Sequence, residues 1–428
     1  MLNADLVTKL FLQLAIIMTS CRIVSYLGRR FLKQTNVVCE MLVGVLLGPS
    51  FFGLIFPEFQ NWLFPKTPLL LDTGITIPNP SMSILYACSQ IGLVLYMFLV
   101  GMEFNALAIQ KKMKSAGFIS LIGIVLPFSL GFFLILFTPD TSLLFNEGFP
   151  ECYRAFFLGI SLSITAFPMM ARILEESGIS KTSFGTLALA AGSMDDLVAW
   201  IMLAGLIAII KNNIFVLIIA LAGTISYIIF LFFVRKKISS LLVSDVRNKQ
   251  KNISKSYGIV LIILMCCALL TEKIGIYLVF GSFLAGVMMP RGEFAEQIRI
   301  RSYDFVSAFL LPLFFVFSGL NTQISLINSP SMWIFTGVIL FIAILGKGVG
   351  CMLAAKFIGE NWRNSATIGT LMNARGLMEL IALNIGLELN IITPTLYTIL
   401  VLMAIITTLL ASPLYYWISE FRKCDKMS

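Results

Sequence analysis

Apolar runs long enough to cross a bilayer recur from the first residues of the chain to the last, separated by short polar stretches. A span needs about 20 apolar residues. The core of a water-soluble domain does not repeat such runs along 428 residues. The pattern predicts an all-α polytopic membrane protein of thirteen transmembrane helices. They are expected at roughly 6–27, 36–55, 82–104, 115–138, 154–171, 182–210, 213–234, 256–272, 275–290, 303–320, 332–357, 364–387 and 394–418. The longest polar connections are expected at about 57–81 and 235–255. No small-residue cleavage site follows the first run, so it reads as a retained helix and not a removed signal peptide. The reading is a single transporter domain over 1–428, with no soluble C-terminal regulatory domain.

Charge fixes an orientation for this pattern. Of 31 Lys and Arg residues, 23 fall in alternate connections, from Arg29, Arg30 and Lys33 to Arg422, Lys423 and Lys426. Five fall on the other side: Lys9, Lys66, Arg154, Lys211 and Lys273. The excess marks the cytoplasmic face, which puts the N-terminus outside and the C-terminus inside. That arrangement requires an odd number of helices. Three basic residues remain within spans: Arg22, Lys347 and Arg375. Arg22 lies near a helix end and can snorkel to the interface.

The composition supports this picture, with 58% hydrophobic and 12% charged residues and a mean hydropathy of +0.93. The net charge of +9 is a topology signal and does not point to nucleic acid. The eight cysteines form no paired motif, so disulfides and metal sites are not expected. There is no histidine, so a pH response near neutrality has to come from perturbed Asp, Glu or Lys.

The stretch "SMDDLVAW" places Asp195 and Asp196 inside a membrane-length apolar segment. A charge at mid-bilayer costs about 2.5–3.5 kcal/mol on insertion scales. Two aspartates, Lys347 and Arg375 are therefore expected to meet one another. Adjacent helical residues diverge by about 100°, so the two aspartates can face different partners. The preceding run, "SLSITAFPMMARILEESG", contains Thr165 and Pro168. Pro168 deprives the Ile164 carbonyl of its helical donor and pushes Phe167 from helical geometry. A break near 165–168 is expected, with a plain proline kink as the alternative. "GTLMNARGLMELIALNIG" interrupts a second span at Asn373–Gly376. Arg375 and Glu379 stand four apart and can pair. Lys347 sits in the glycine-rich "LGKGVG"; the alternative is a lysine reaching an interface.

The two breaks fall in the fifth and twelfth predicted helices. An odd offset means opposite orientations, which fits inverted repeats of about 6–210 and 256–418 joined by a linker helix near 213–234. Sites in such proteins lie at mid-membrane, where two broken helices cross.

Four stretches carry a resemblance: "VVCEMLVGVLLGPSFFG", "LYMFLVGMEFN", "SITAFPMMARILEESGISKTSFGTLALAAGSMDDLVAW" and "NARGLMELIALNIGLELNIITPTLYTILVLMAIITTLLASPL". Together they resemble the monovalent cation/proton antiporter superfamily, in its second branch, of Kef and NapA type. The resemblance implies an NhaA-like fold, a dimerisation bundle beside a mobile core, and a homodimer in the plasma or inner membrane. It implies no enzyme activity, no catalytic residues and no cofactor beyond the transported ions. It makes Asp196 the shared cation and proton carboxylate and Asp195 the first acid of the pair found in electrogenic members. Lys347 matches the lysine paired with that acid, and Thr165 lies in the first crossover. Arg375 and Glu379 match an arginine and a glutamate after the second. Two departures stand out. Kef-type and plant relatives usually carry Gln or Asn where this chain has Asp195, and Asn105 stands where relatives often have an acid.

Two carboxylates this close in a low dielectric do not both ionise readily, so the pair is expected to titrate as a unit. A proton and Na⁺ or K⁺ would then compete for one carboxylate, and only the neutralised site would cross the membrane cheaply. Lys347 would hold Asp195 when no cation is bound. The alternatives are cation-coupled transport of an organic solute on the same fold and an ion channel.

Overall fold

The computed structural model describes residues 2–32, 34–65, 69–70, 76–77, 79–103, 112–138, 140–146, 148–210, 214–247, 253–275, 278–290, 292–320, 324, 327 and 329–424. Lys33, Lys66, Lys211 and Lys426, placed in connections above, lie outside them, as do Lys111, Lys249, Lys251 and Arg291, counted there, and Asn105. The fold is helical. A two-residue antiparallel pair, Leu69–Leu70 with Thr76–Ile77, sits in the first long connection. Among the described residues, ten helices are long and apolar enough to cross a membrane, and Leu278–Met288 is a shorter apolar helix. The protein is a multi-pass membrane protein.

Two further helices are interrupted. Glu151–Ser163 is followed by Phe167–Glu176, and Trp362–Met372 by Leu377–Glu388. The first interruption lies just ahead of its proline. Ile164 is extended and Ala166 also leaves helical geometry, while Phe167 already belongs to the second segment. Phe167 is thus helical, contrary to the expectation from Pro168. Pro168 itself is tolerated there, because in a first turn its missing N–H has no helical acceptor.

The connection expected at 235–255 is mostly helix. Phe215–Arg247 runs well beyond its apolar part, and Ile253–Ile274 begins soon after. Polarity ends a span but does not end a helix, and Lys, Arg and Leu are good helix formers. The helix expected at 303–320 likewise starts at Glu293, and it carries a π segment at Val306–Leu310. The helix expected at 36–55 divides instead into Asn36–Leu47 and Phe52–Ile55 around Gly48 and Pro49.

The chain forms two compact units. One comprises residues 88–110 and 200–314. There Gly101 and Gly286 face each other: a Cβ on Gly101 would collide with the Phe283 carbonyl, and one on Gly286 with the Phe98 carbonyl. Small residues let membrane helices approach to backbone contact. The Tyr227 hydroxyl donates to the Gly281 carbonyl at 2.9 Å.

The other unit comprises residues 1–87, 111–199 and 315–428 and contains both interrupted pairs. The window in Leu217–Arg235, the most apolar of the ten spans, is 22% buried, whereas that in Ser183–Ala208 is 65% buried. Lipid tails are as apolar as Leu, so the most apolar helices lose nothing by facing them. Ser183–Ala208, which carries Asp195 and Asp196, is among the more buried spans.

Candidate functional site

The two breaks meet. The Ala166 N–H donates to the Ala374 carbonyl at 3.2 Å. A Cβ on Gly376 would come 3.3 Å from that of Ala166, so small side chains keep the crossing tight. Each break frees backbone groups that a continuous helix would pair. The last carbonyls of Glu151–Ser163 are taken up by two cations. Arg375 donates from Nη1 to the Ser161 carbonyl at 3.0 Å and from Nη2 to that of Leu162 at 2.6 Å. Lys347 Nζ donates to the Ser163 carbonyl. A helix C-terminus carries partial negative charge and favours cations, which explains why both basic residues converge on this end.

Asp195 and Asp196 come from the long helix Ser183–Ile210. Lys347 Nζ lies 2.8 Å from Asp195 Oδ2, and both side chains are fully buried. The Thr165 hydroxyl donates to the same oxygen at 2.9 Å, with the Met372 carbonyl 3.4 Å away. Asp195 Oδ1 and Asp196 Oδ1 are buried without hydrogen-bond partners among the described residues. Asp196 is 2% exposed. Glu379 Oε1 lies 3.7 Å from Arg375 Nη1, both fully buried. The Arg375 backbone N–H donates to Thr408 Oγ1 at 2.9 Å, which ties the second break to the last long helix.

Two features of the neighbouring helices position Lys347. It sits in a π segment, Ile344–Val349, within the run Pro330–Phe357. π-bulges recur at functional sites because the extra residue re-aims a side chain. The facing helix, Met113–Leu136, presents Gly123. A Cβ there would lie 2.6 Å from Cys351 Sγ and 3.6 Å from Asp195 Oδ2. Glycine lets that helix close over the ion pair.

The structure thus gathers Thr165, Asp195, Lys347, Arg375 and Glu379 around one crossing, with Asp196 beside Asp195. Asn373 opens the second break, 7% exposed. Pro168 stands in the first turn of Phe167–Glu176. The charges nearly cancel. Lys347 balances Asp195, and Arg375 balances Glu379. With every group ionised, Asp196 is left without a counter-charge.

Sequence reasoning missed a second buried charged group. Arg172, one of the 23 basic residues counted in cytoplasmic connections, is 4% exposed within Phe167–Glu176. Its Nε lies 2.7 Å from Glu176 Oε1. Glu176 Oε2 accepts the Asn36 N–H at 2.6 Å, linking this segment to the helix Asn36–Leu47. Glu40 of that helix is 5% exposed and within electrostatic reach of Arg172 and Glu176. The signal was available: Glu40 is an acid inside an apolar run.

The family described as sodium/hydrogen exchanger, transmembrane, matches residues 15–418. The chain belongs to the sodium/hydrogen exchanger family. The exchanger is 37% identical over 405 residues to the Na⁺/H⁺ antiporter NhaS4 of Synechocystis, covering 93% of this chain and 94% of that one. It is 34% identical to cation/H⁺ antiporter 20 of Arabidopsis thaliana, covering 94% of this chain and 48% of the relative. It is 30% identical to the K⁺/H⁺ antiporter 1 of Saccharomyces cerevisiae, covering 96% of this chain and 46% of the relative. The chain therefore spans about half the length of the plant and yeast relatives it matches. Its fold resembles that of the sodium/proton antiporter MjNhaP1 of Methanocaldococcus jannaschii, with a TM-score of 0.59 at 14% identity, over 95% of this chain and 96% of the other.

Proposed function

We propose that this exchanger moves protons one way and a monovalent cation, Na⁺ or K⁺, the other, by alternating access. The observation that carries the reading is the uncompensated carboxylate of Asp196 beside the Asp195–Lys347 pair, at the crossing of two broken helices. A lone buried carboxylate costs several kcal/mol in an apolar medium, on the order of the penalty for any unpaired buried ion. Binding either a proton or a cation removes that cost. The two occupants exclude each other, which is the requirement for exchange.

The roles follow from the contacts. Asp196 is the shared ligand. Thr165 supplies a neutral oxygen of the kind alkali cations accept. Lys347 holds Asp195 when the cation is absent; if cation entry loosens that pair, a second proton leaves and the cycle is electrogenic. Arg375, Glu379, Asn373 and Pro168 shape the crossing.

The ten long helices, Leu278–Met288 and the two interrupted pairs are assigned thirteen crossings. The Lys and Arg distribution supports an external N-terminus and an internal C-terminus. The exchanger is placed in the Kef and NapA branch, as a homodimer in the plasma or inner membrane, with inverted repeats over about 6–210 and 256–418. Relatives named for Na⁺/H⁺ and for K⁺/H⁺ exchange both match, so either ion fits the reading.

The test is exchange in proteoliposomes, followed with a pH-sensitive dye as Na⁺, K⁺ or Li⁺ is added. The wild-type protein should move protons in response to at least one cation, and Asp196→Asn to none, although it inserts normally. Retained cation-dependent proton release from Asp196→Asn would overturn the assignment.

A further inference from the structure

The connection expected from residue 57 opens on a short helix, Pro57–Leu63, which follows directly on the span Asn36–Ile55. Its residues fall on three faces, each a pair three positions apart. Gln60 and Leu63 are buried against the protein. Glu58 and Asn61 are exposed and polar. Phe59 and Trp62 are exposed and apolar, and the exposed Ile55 and Phe56 just ahead of the helix extend their patch. The rings touch: Phe59 stacks on Trp62 at 5.6 Å, and Phe52 meets Phe56 at 5.8 Å and Phe59 at 5.9 Å. A helix in water has no use for an exposed aromatic face beside an exposed polar one.

The first helix measures how deep this face lies. Its span, Asp5–Phe31, is 27 residues long, more than the about 20 that cross the hydrocarbon. Arg29 and Arg30 mark one boundary. About 20 residues back along the helix stands Lys9, a charge suited to the other boundary. Lys9 Nζ lies 5.5 Å from the centre of the Trp62 ring. Gln13, one turn or about 6 Å further in, donates from Nε2 to the Leu63 carbonyl at 2.5 Å. Trp62 is therefore level with a membrane boundary, and the end of its helix lies just beneath it. Amphipathic helices that lie in the interface bury their apolar face by about 5–10 Å, and Trp is enriched at that level.

We propose that Pro57–Leu63 is an interfacial helix whose Phe59 and Trp62 face docks on the phospholipid leaflet, among the upper parts of the acyl chains. Glu58 and Asn61 then face the headgroups and water. The patch continues the lipid-facing surface of the first helix, where Phe11 and Leu12 are also exposed. The start of the long polar connection is thus a membrane element, held to the first helix by Gln13 and Lys9.

The test is tryptophan quenching in the full-length protein, reconstituted in phosphatidylcholine vesicles. Trp62 is one of five tryptophans, so its emission is taken as the difference between the wild type and Trp62→Phe. Phosphatidylcholine brominated in the upper part of the acyl chain should lower that component roughly twofold. Lipid brominated at the chain terminus should lower it less, and aqueous iodide on both sides of the membrane hardly at all. Introduced singly into the wild type, Phe59→Trp should add emission with the same preference, whereas Asn61→Trp should add emission that iodide quenches more than the brominated lipid does. The two probes sit on different faces of one short helix, so the reversal reports the face. The proposal is overturned if iodide quenches Trp62 more than upper-chain bromine does, as in a solvated connection. It is overturned if chain-terminus bromine quenches it most, or if neither reagent reaches it, as beneath a second copy or another protein. It is equally overturned if Phe59→Trp and Asn61→Trp respond alike.

Discussion

Replacing Lys347 by alanine removes the cation from a buried pair and leaves the rest of the crossing in place. The Nζ to Oδ2 separation is 2.8 Å with both side chains fully buried. At an effective dielectric near 20 the gross attraction at that distance is about 6 kcal/mol. Much of it offsets the desolvation of both ions. Removing one partner does not return that desolvation, because Asp195 stays buried, and breaking such pairs costs about 3–5 kcal/mol. The same substitution takes a donor from the Ser163 carbonyl, which adds an unmet acceptor worth roughly 1–3 kcal/mol. Two effects pull the figure back. The Thr165 hydroxyl still donates to Asp195 Oδ2 at 2.9 Å, and Asp195 can take up a proton. The expected net loss is about 3–4 kcal/mol, seen as a fall of about 3–5 °C in the melting temperature of the protein in detergent. The double variant Lys347→Ala with Asp195→Asn deletes the orphaned charge and should recover at least half of the fall. A Lys347→Ala protein that melts like the wild type, or a double variant no more stable than it, would refute the pairing and its assigned cost.

Asp195→Asn should leave exchange measurable but diminish the current recorded on a solid-supported membrane; undiminished current at undiminished turnover would remove Asp195 from the charge-carrying step. Arg375→Lys keeps the charge but cannot span the two carbonyls of Ser161 and Leu162 with a fork. It should lower thermal stability by roughly 2–3 kcal/mol, and an unchanged melting curve would show that these contacts are dispensable. Gly123→Val places branched carbons against Cys351 Sγ and near Asp195 Oδ2. It should reduce exchange at least tenfold, checked by dye-reported flux at matched protein incorporation. Gly123→Val combined with Cys351→Ala should regain part of it, because the collision is with the sulfur.

Local chemistry made much of this legible in one dimension. A run of about 20 apolar residues has one low-energy solution in a bilayer, because every backbone group must be paired within the segment. The helical class could therefore be read directly. So could the breaks. Pro168 lacks an N–H wherever the chain folds, and the second break is bracketed by two weaker helix formers, Asn373 and Gly376. The expense of Asp195, Asp196, Lys347 and Arg375 in a membrane required that they meet.

Tertiary structure decided which atoms met. Arg375 was read as the partner of Glu379, yet its guanidinium also closes off Ser161 and Leu162, residues more than two hundred positions earlier. No spacing rule links those carbonyls to that arginine. They become acceptors only because the first helix breaks beside the second. Arg172 falls just past the predicted end of the fifth helix and so reads as a connection charge, whereas in space it is buried and paired with Glu176. The π segment that aims Lys347 and the exact end of each helix were likewise set by packing, since polar residues that finish a span do not finish a helix. Sequence determines what must be buried and what must be paired. The three-dimensional arrangement alone selects the partner, because pairing energy depends on distances that the order of residues does not contain.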